Sequence, residues 1–240
     1  YYGRVIACGD DENIISVLKN IEKPVTTYGF SGKSDFVIQN YANVGICTHF
    51  KIMRSGISFC DVELSVPGKH NALNATAALT AAIELDIELS VILEALKNFS
   101  GVRRRFERKG EYNGAVIIDD YGHHPTEIAA TLAAAKEYWN HGRILVAFQP
   151  HRFSRTKTCW NDFGPSLKNA DQVFLLDVYS AGEKPITGAD SATLAKKNGF
   201  THTGSVENAL SVLKRELKAG DLLITLGAGS ITQLGPMLLK

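Results

Sequence analysis

The chain has 240 residues and a formal net charge of +1, and 45% of its residues are hydrophobic while 21% are charged. This composition is typical of globular proteins and favours neither nucleic acid nor an anionic membrane as a partner. The four cysteines lack the CxxC spacing of metal or redox sites, and no apolar run reaches the roughly 18 residues that a membrane span needs. We therefore expect a soluble, cytoplasmic protein with reduced thiols.

The first part of the chain is predicted to be rich in strands up to about residue 65. Turn signals of Gly, Ser and Asn separate the elements. The predicted order is a strand at 4–8, a helix at 12–20, and strands at 25–28, 36–41, 47–54 and 58–66. Two helices follow at 71–85 and 89–98, and the first is apolar all around, as is typical of a buried helix.

Residues 29–34 read Gly-Phe-Ser-Gly-Lys-Ser and end like a phosphate-binding loop. The full motif requires a glycine five positions before Gly32 and a helix after Ser34. Thr27 occupies the first of these positions, and a strand pattern follows Ser34. We conclude that this segment is not a P-loop.

Four basic residues, Arg103, Arg104, Arg105 and Arg108, interrupt the apolar pattern between residues 101 and 108, and we place a domain boundary there. Arg103 to Glu107 fits either a solvated linker or a segment that brings an arginine to a phosphate. Beyond the boundary, strands and helices alternate, which predicts a Rossmann-like parallel sheet covered on both faces. The predicted strands are 116–119, 144–148, 172–178 and 222–226, and the predicted helices are 125–140, 156–169, 191–198, 205–218 and 231–240.

Two polar clusters follow strands at the carboxyl edge of this predicted sheet, where open parallel sheets bind ligands. The first contains two aspartates and two histidines at residues 119–124, before Pro125. A purely structural role would leave these charges exposed and unpaired for no gain, so a functional role is favoured. Pro125 and Glu127 suit a helix start, but that start does not require the other four residues. A zinc site from His123, His124 and His151 is a less favoured alternative, because adjacent histidines rarely chelate one ion.

The second cluster carries Arg152 and Arg155, three residues apart at a predicted helix start, so both can project to one face. Arginine binds carboxylate or phosphate through a planar pair of donors. Anion binding is favoured over a solvated surface pair. Asn71 and Asn74 lie one turn apart, and since one of them can cap their helix, the other is free to bind a planar heterocycle. The Gly-Ala-Gly-Ser-Ile turn at 227–231 predicts a helix N-terminus suited to an anion.

These motifs together resemble the Mur ligase family, over essentially the whole chain. The residues that carry the resemblance are Gly-Lys-His-Asn-Ala-Leu-Asn-Ala-Thr-Ala-Ala at 68–78, Arg-Arg-Phe-Glu at 104–107, Asp-Asp-Tyr-Gly-His-His-Pro-Thr-Glu at 119–127 and Phe-Gln-Pro-His-Arg-Phe-Ser-Arg-Thr at 148–156. The resemblance implies an α/β fold in which residues 1–101 are the last portion of a central ATPase domain. Residues 102–240 would be a Rossmann-like C-terminal domain with a mostly parallel sheet.

The resemblance also implies an activity, in which ATP activates UDP-N-acetylmuramate as an acyl phosphate and L-alanine then attacks it. ATP and Mg²⁺ are the implied cofactors. The P-loop, the Mg²⁺ ligands and the UDP-binding domain are expected in a missing N-terminal part, so the chain alone is expected to be inactive. No metal site is expected within the chain itself.

The resemblance assigns roles to residues by their position in these motifs. Asn71 and Asn74, with His70 beside them, would face adenine, while Arg105 would approach the phosphates and Asp120 the ribose. Catalytic roles fall on His123, His124, Arg152 and Arg155. Substrate binding falls on Tyr121, His124, His151, Arg152 and Arg155.

Three alternatives remain open from the residues themselves. The first is the related ligase that recycles murein tripeptide, which shares the His-His-Pro-Thr loop but is not expected to carry Gln-Pro-His-Arg-Phe-Ser-Arg-Thr. The second is a stand-alone module that only binds a nucleotide or small anion. The third and weakest is a nicotinamide dehydrogenase, because the glycine fingerprint is incomplete.

Overall fold

The computed structural model describes residues 3–45 and 47–240, and it divides the chain into two compact units, Tyr1–Ser100 and Gly101–Lys240. Both units are mixed α/β, and the sheet of the second unit is mostly parallel, so the predicted fold class is confirmed. No helix in the described part of the chain combines the length and the apolar character that crossing a membrane requires.

The first unit is a five-stranded sheet in the order β1-β2-β3-β4-β5, parallel from β1 to β3 and antiparallel from β3 to β5. Its strands are β1 (Val5–Cys8), β2 (Val25–Gly29), β3 (Phe36–Val44), β4 (Cys47–Arg54) and β5 (Ile57–Leu64), and its helices are α1 (Glu12–Leu18), α2 (Lys69–Glu84) and α3 (Leu89–Asn98). Strand β3, and no helix, follows residues 29–34, as the rejection of a P-loop requires. Apolar side chains of β3, β4 and β5 pack with α2 and α3 in one core.

The second unit is a six-stranded sheet in the order β10-β9-β8-β11-β7-β6, in which only the edge strand β6 is antiparallel. The strands are β6 (Glu107–Tyr112), β7 (Ala115–Asp120), β8 (Ile144–Phe148), β9 (Gln172–Leu176), β10 (Thr201–Gly204) and β11 (Leu222–Leu226). The helices are α4 (Pro125–Tyr138), α5 (Phe153–Thr158), α6 (Phe163–Ser166), α7 (Ser191–Asn198), α8 (Val206–Glu216) and α9 (Leu234–Leu238), and a 3₁₀ helix spans Ser230–Gln233.

Helices cover both faces of this second sheet. Successive residues of each central strand enter different cores, so that Ile118, Val146 and Ile224 lie in one cluster. Ile117, Leu145 and Leu223 lie in the other. This explains why the central strands are continuous apolar runs and do not alternate with polar residues.

Two helices predicted in the second unit are not continuous α-helices in the structure. The helix expected at 156–169 is interrupted and forms α5 and α6, with Pro165, which has no N–H to donate, in the first turn of α6. The helix expected at 231–240 begins as the 3₁₀ turn and is α-helical only over Leu234–Leu238. Pro236 cannot donate the bond that would continue an α-helix back through Thr232.

Two edge strands, β6 and β10, were not predicted. Their residues are polar and include Gly110 and Gly204, so they lack the apolar run that identified the central strands. Strand β6 begins at Glu107, the last residue of the segment for which a solvated linker was one of two interpretations. An edge strand needs only one paired side, and its sequence pattern is correspondingly weak.

Candidate active site

The carboxyl ends of strands β7, β11 and β8 lie side by side in the second unit. Leu226 of β11 is in register with Asp120 of β7 on one side and with Phe148 of β8 on the other. The three loops that follow these strands therefore start at the same edge of the sheet. This is the edge at which both polar clusters were predicted.

Four aromatic rings form a row along this edge. Tyr121 and His123 meet edge to face at 5.2 Å between centroids, and His123 lies 5.6 Å from His151. His151 in turn stacks on Tyr179 at 5.4 Å with an interplanar angle of 17°. The row brings the two predicted clusters together and adds Tyr179, which follows β9 and was not predicted as a site residue.

The loop after β7 is built into the start of helix α4. Pro125 is the first helical residue, and His124 is the N-cap, with its Nδ1 accepting a hydrogen bond from the N–H of Thr126 at 3.3 Å. The carboxylate of Glu127 accepts from the N–H groups of His123 and His124 at 3.0 and 3.2 Å. These bonds complete a capping box and fix the loop.

Glu127 should make the second unit less stable in acid. Burial alone would raise the pKa of its carboxyl, but the N–H groups of His123 and His124 and the charges of His123 and Arg105 together hold the pKa below 4.5. The contribution of Glu127 to stability is therefore complete above about pH 4.5 and is lost as the pH falls through the lower folded value.

We expect Glu127→Gln to lower the unfolding free energy at pH 7 and to flatten its decline below pH 5, measured by urea titration at several pH values. Glu137→Gln, at the other end of α4, is the control. Equal acid sensitivity of wild type and Glu127→Gln would contradict the assignment.

The three histidines differ in which nitrogen they present to the site, as their partners show. Nδ1 of His123 lies 3.0 Å from the carbonyl oxygen of Tyr121, which can only accept, so this nitrogen carries the proton and Nε2 has the free lone pair. Nδ1 of His151 faces Nη1 of Arg155 at 3.3 Å, a group that can only donate. Neutral His151 and His124 therefore carry their proton on Nε2, and only His123 offers Nε2 as a base.

The two predicted arginines lie at the start of α5, directly behind this ring row. Nη1 of Arg155 also donates to the carbonyl oxygen of His151 at 3.2 Å, which holds the guanidinium against the end of β8. Arg152 is exposed, has a positive φ of 70°, and makes no side-chain hydrogen bond or ion pair within the described residues. The Arg152 guanidinium therefore has its donors available for a bound carboxylate or phosphate.

His151 is surrounded by positive charge. Its burial lowers the pKa of the imidazole below the ordinary value, and the nearby His123, Arg155 and Arg152 lower it further against the opposing effect of Glu183. Both effects favour the neutral imidazole, and burial is the larger of the two.

The two aspartates of the first cluster are buried. Asp119 is 1% exposed and Asp120 is 4% exposed. Asp119 bonds Nε of Arg104 at 2.9 Å and the hydroxyl of Thr225 at 2.6 Å. Asp120 accepts from the backbone N–H groups of Phe106 and Gly122 at 2.8 and 2.7 Å. Both carboxylates are buried because the chain itself supplies their donors.

The side chains of Arg104 and Arg105 lie in different environments. Arg104 joins Asp119 to the carbonyl oxygen of Gly227, so it links β7 to the loop after β11. Arg105 is about half exposed, with Nη1 3.9 Å from Oε1 of Glu127. The simple linker reading of this segment is therefore wrong for Arg104, while Arg105 lies at the sheet edge with its guanidinium near solvent.

The glycine turn after β11 is held by Gln149, a residue that the sequence analysis missed although it directly follows β8. Its Oε1 accepts from the N–H of Ile231 at 2.9 Å, so this N–H is already used and the turn leads into a 3₁₀ helix. A Cβ on Gly227 would lie 2.6 Å from the carbonyl oxygen of Gln149, and one on Gly229 would lie 2.6 Å from its Oε1. The glycines are required for this close approach.

The remaining predicted residues lie in the first unit, on helix α2. Neither Asn71 nor Asn74 is the N-cap, because α2 begins at Lys69 after Gly68. Asn71 donates from Nδ2 to the carbonyl oxygen of Pro67 at 2.7 Å, and Asn74 is exposed one turn later. His70 is partly buried on the same turn. The capping argument was wrong, but the amide spacing on one helix is as expected.

No group of three or more His, Cys, Asp or Glu side chains in residues 3–45 and 47–240 is arranged to hold a metal ion. The four cysteines are all free thiols, and burial raises the pKa of Cys60 to about 11.

Each of the two units matches a domain of known proteins. The Mur ligase middle domain matches residues 2–82, and the Mur ligase, glutamate ligase domain matches residues 104–229. The UDP-N-acetylmuramate–L-alanine ligase of Lawsonia intracellularis is 44% identical over 100% of this chain and 54% of its own length. The chain thus spans about half of that relative.

Solved structures agree on the fold. The UDP-N-acetylmuramate–alanine ligase of Thermotoga maritima is 26% identical, with a TM-score of 0.79 over 98% of this chain and 50% of that chain. The MurF ligase of Thermotoga maritima in complex with ADP, 18% identical with a TM-score of 0.76 over 98% of this chain and 53% of its own, shows the same fold. On the two domain matches, the chain belongs to the Mur ligase family.

Proposed function

We propose that this chain forms part of a ligase that joins L-alanine to UDP-N-acetylmuramate at the expense of ATP, in the synthesis of peptidoglycan precursors. The observation that supports the proposal is the convergence of imidazole and guanidinium groups at one sheet edge. All 240 residues of this chain align with such a ligase at 44% identity. The reacting groups are a carboxylate, a phosphate and an amine, and these residue types suit all three.

The first unit (residues 1–101) is proposed to belong to the central ATP-binding domain and the second (102–240) to be the C-terminal domain. Asn71 and Asn74, next to His70, would bind adenine, since Asn74 is exposed one turn from the amide of Asn71. By its place in the family motif, Asp120 would bind the ribose hydroxyls at the end of β7, and its carboxylate, 4% exposed here, would have to become accessible when the nucleotide binds. Arg105 would bind the phosphates. Its contact with Glu127 is long, at 3.9 Å, and leaves the guanidinium able to bind another anion.

In the proposed reaction, a carboxylate oxygen of UDP-N-acetylmuramate attacks the γ-phosphorus of ATP and ADP leaves. The amine nitrogen of L-alanine then attacks the acyl carbon, the amine loses a proton, and inorganic phosphate leaves with the bonding electron pair. Arg152 and Arg155 would neutralise the phosphate or the alanine carboxylate. Mg²⁺ would assist phosphate transfer, but the described residues contain no cluster that fits it, and its ligands are expected elsewhere in the ligase.

The proton of the attacking amine would go to Nε2 of His123, the one site imidazole whose Nε2 lone pair is free in the neutral form. His151 and His124 would donate from Nε2 to oxygen atoms that gain charge. Tyr121, in edge-to-face contact with His123, would form a wall of the amino-acid pocket.

A hybrid ligase tests the proposal. In it, residues 1–240 replace the matching 54% of the Lawsonia intracellularis ligase. We expect phosphate release that needs ATP, UDP-N-acetylmuramate and L-alanine together, while the rest of the relative, and this chain alone, release none. Circular dichroism and ATP binding establish that the hybrid is folded.

Two results would overturn the proposal. Preference of the folded hybrid for murein tripeptide over L-alanine would favour the recycling ligase. A folded hybrid that binds ATP without releasing phosphate with either acceptor would favour a binding module.

A further inference from the structure

Helix α5 contains Arg155 and is preceded by Arg152, and no side chain of its own caps its start. The N-cap residue is Arg152, whose side chain has no acceptor atom and makes no cap hydrogen bond. The left-handed φ of Arg152 is also unfavourable for a residue with a Cβ. The N–H groups of the first turn therefore need an acceptor from elsewhere.

Glu183 supplies that acceptor from 29 residues further along the chain. Its Oε2 accepts the N–H of Ser154 at 2.9 Å, and its Oε1 accepts the Ser154 hydroxyl at 2.6 Å. The hydroxyl and N–H of Ser154 hold the pKa of Glu183 below its ordinary value, so the carboxylate is ionised at neutral pH. Each oxygen already has a partner, which makes Glu183 unsuited to act as a base.

The segment that leads to Glu183 is fastened to the same residues. The N–H of Arg152 donates to the carbonyl oxygen of Tyr179 at 2.8 Å, and the N–H of Tyr179 donates to the carbonyl oxygen of Pro150 at 2.8 Å. Tyr179 also stacks on His151. We name residues 179–183 the strap, because they bind residues 150–154 at one end through Tyr179 and at the other through Glu183.

We propose that Glu183 is a positioning residue, which through Ser154 holds helix α5 in the orientation that presents Arg152 and Arg155 to the anionic reactants. The inference rests on the proposed function and deepens it. If the bonds to Ser154 are removed, the strap stays attached at Tyr179 alone. The first turn of α5 can then move, and with it both guanidinium groups.

The activity test compares Glu183→Ala, which removes both acceptor oxygens, with Glu207→Ala in the hybrid ligase. Glu207 is a matched control, an exposed carboxylate in the first turn of α8 with a hydrogen bond from the cap residue Ser205. We expect Glu183→Ala to lower kcat/KM for L-alanine by about 10- to 100-fold, the scale for misplaced catalytic groups, and Glu207→Ala to change it less than about twofold. KM for ATP should stay unchanged, and circular dichroism should report the same folded fraction, because a loss of folded enzyme would lower the apparent kcat without changing either KM.

A second arm uses the 240-residue chain without substrates, so it stands even if the proposed function fails. In Glu183→Ala, the Ser154 amide should lose hydrogen-exchange protection, and the side-chain Nε resonances of Arg152 and Arg155 should shift or broaden. Ser154→Ala, which deletes only the hydroxyl bond, should give a smaller change in the same direction. Loss of Ser154 protection with unchanged arginine resonances, or with unchanged kcat/KM in an active hybrid, would overturn the inference.

Discussion

Replacing Arg155 with alanine in the hybrid ligase is expected to lower kcat/KM for L-alanine by about 10²- to 10³-fold, the usual cost of removing one donor to developing charge. Nη1 of Arg155 is fixed by His151, at 3.3 Å from Nδ1 and 3.2 Å from the carbonyl oxygen, so the guanidinium is already in place before substrate arrives. Its removal takes away a charge and also releases His151. The measurement is initial-rate phosphate release at varied L-alanine concentration.

The controls separate charge from geometry. Lys157→Ala removes an exposed cation from the same helix and should leave the rate within about twofold. Arg155→Lys keeps the charge but not the planar pair of donors, and should remain at least about tenfold below wild type. Full activity of Arg155→Ala in a folded hybrid would remove Arg155 from the proposed mechanism.

Much of the site could be predicted because its residues follow strands that are themselves obvious. The apolar runs at 116–119 and 144–148 predict central parallel strands, and parallel strands end at a common edge. His123 and His151 therefore had to lie near each other, although 28 residues separate them in the chain, and their rings are in contact.

The partners of the buried charges could not be predicted in the same way. Arg104 and Arg105 are adjacent, and only the pairing of β6 with β7 decides that Arg104 meets Asp119 while Arg105 faces solvent. Glu183 reaches Ser154 because β9 lies next to β8, which no local pattern reports. Long-range pairing of this kind depends on register, whereas sequence periodicity reports only local structure.

The first unit shows the same division between local and long-range information. Asn71 and Asn74 could be placed on one helix from their spacing, yet the start of that helix was misjudged. The helix begins two residues before Asn71, after Gly68, whose φ of 104° is open to glycine and costly for other residues. Helix ends depend on such single backbone positions, and the composition around them does not reveal them.

Asp119→Ala is expected to lower the unfolding free energy of the second unit by about 3 kcal/mol, because removal of one partner strands the other charge. Asp119 is 1% exposed and is bonded by Arg104 and Thr225, so Arg104 would lose its carboxylate in a place that water reaches poorly. The measurement is urea unfolding followed by tryptophan fluorescence. Both tryptophans of the chain, Trp139 and Trp160, belong to the second unit and report its unfolding.

A double-mutant cycle identifies the cause. If the buried pair is responsible, the double variant Arg104→Ala, Asp119→Ala should lose less unfolding free energy than the two single variants do in sum. The expected difference is about 1–3 kcal/mol. Glu111→Ala, which removes the acid of the exposed Arg108 pair on β6, is the matched control and should cost less than about 1 kcal/mol. If the losses of unfolding free energy at 104 and 119 are additive, Asp119 stabilises the unit through Thr225 and its own packing. The connection that Arg104 makes from β7 to the Gly227 loop would then contribute little.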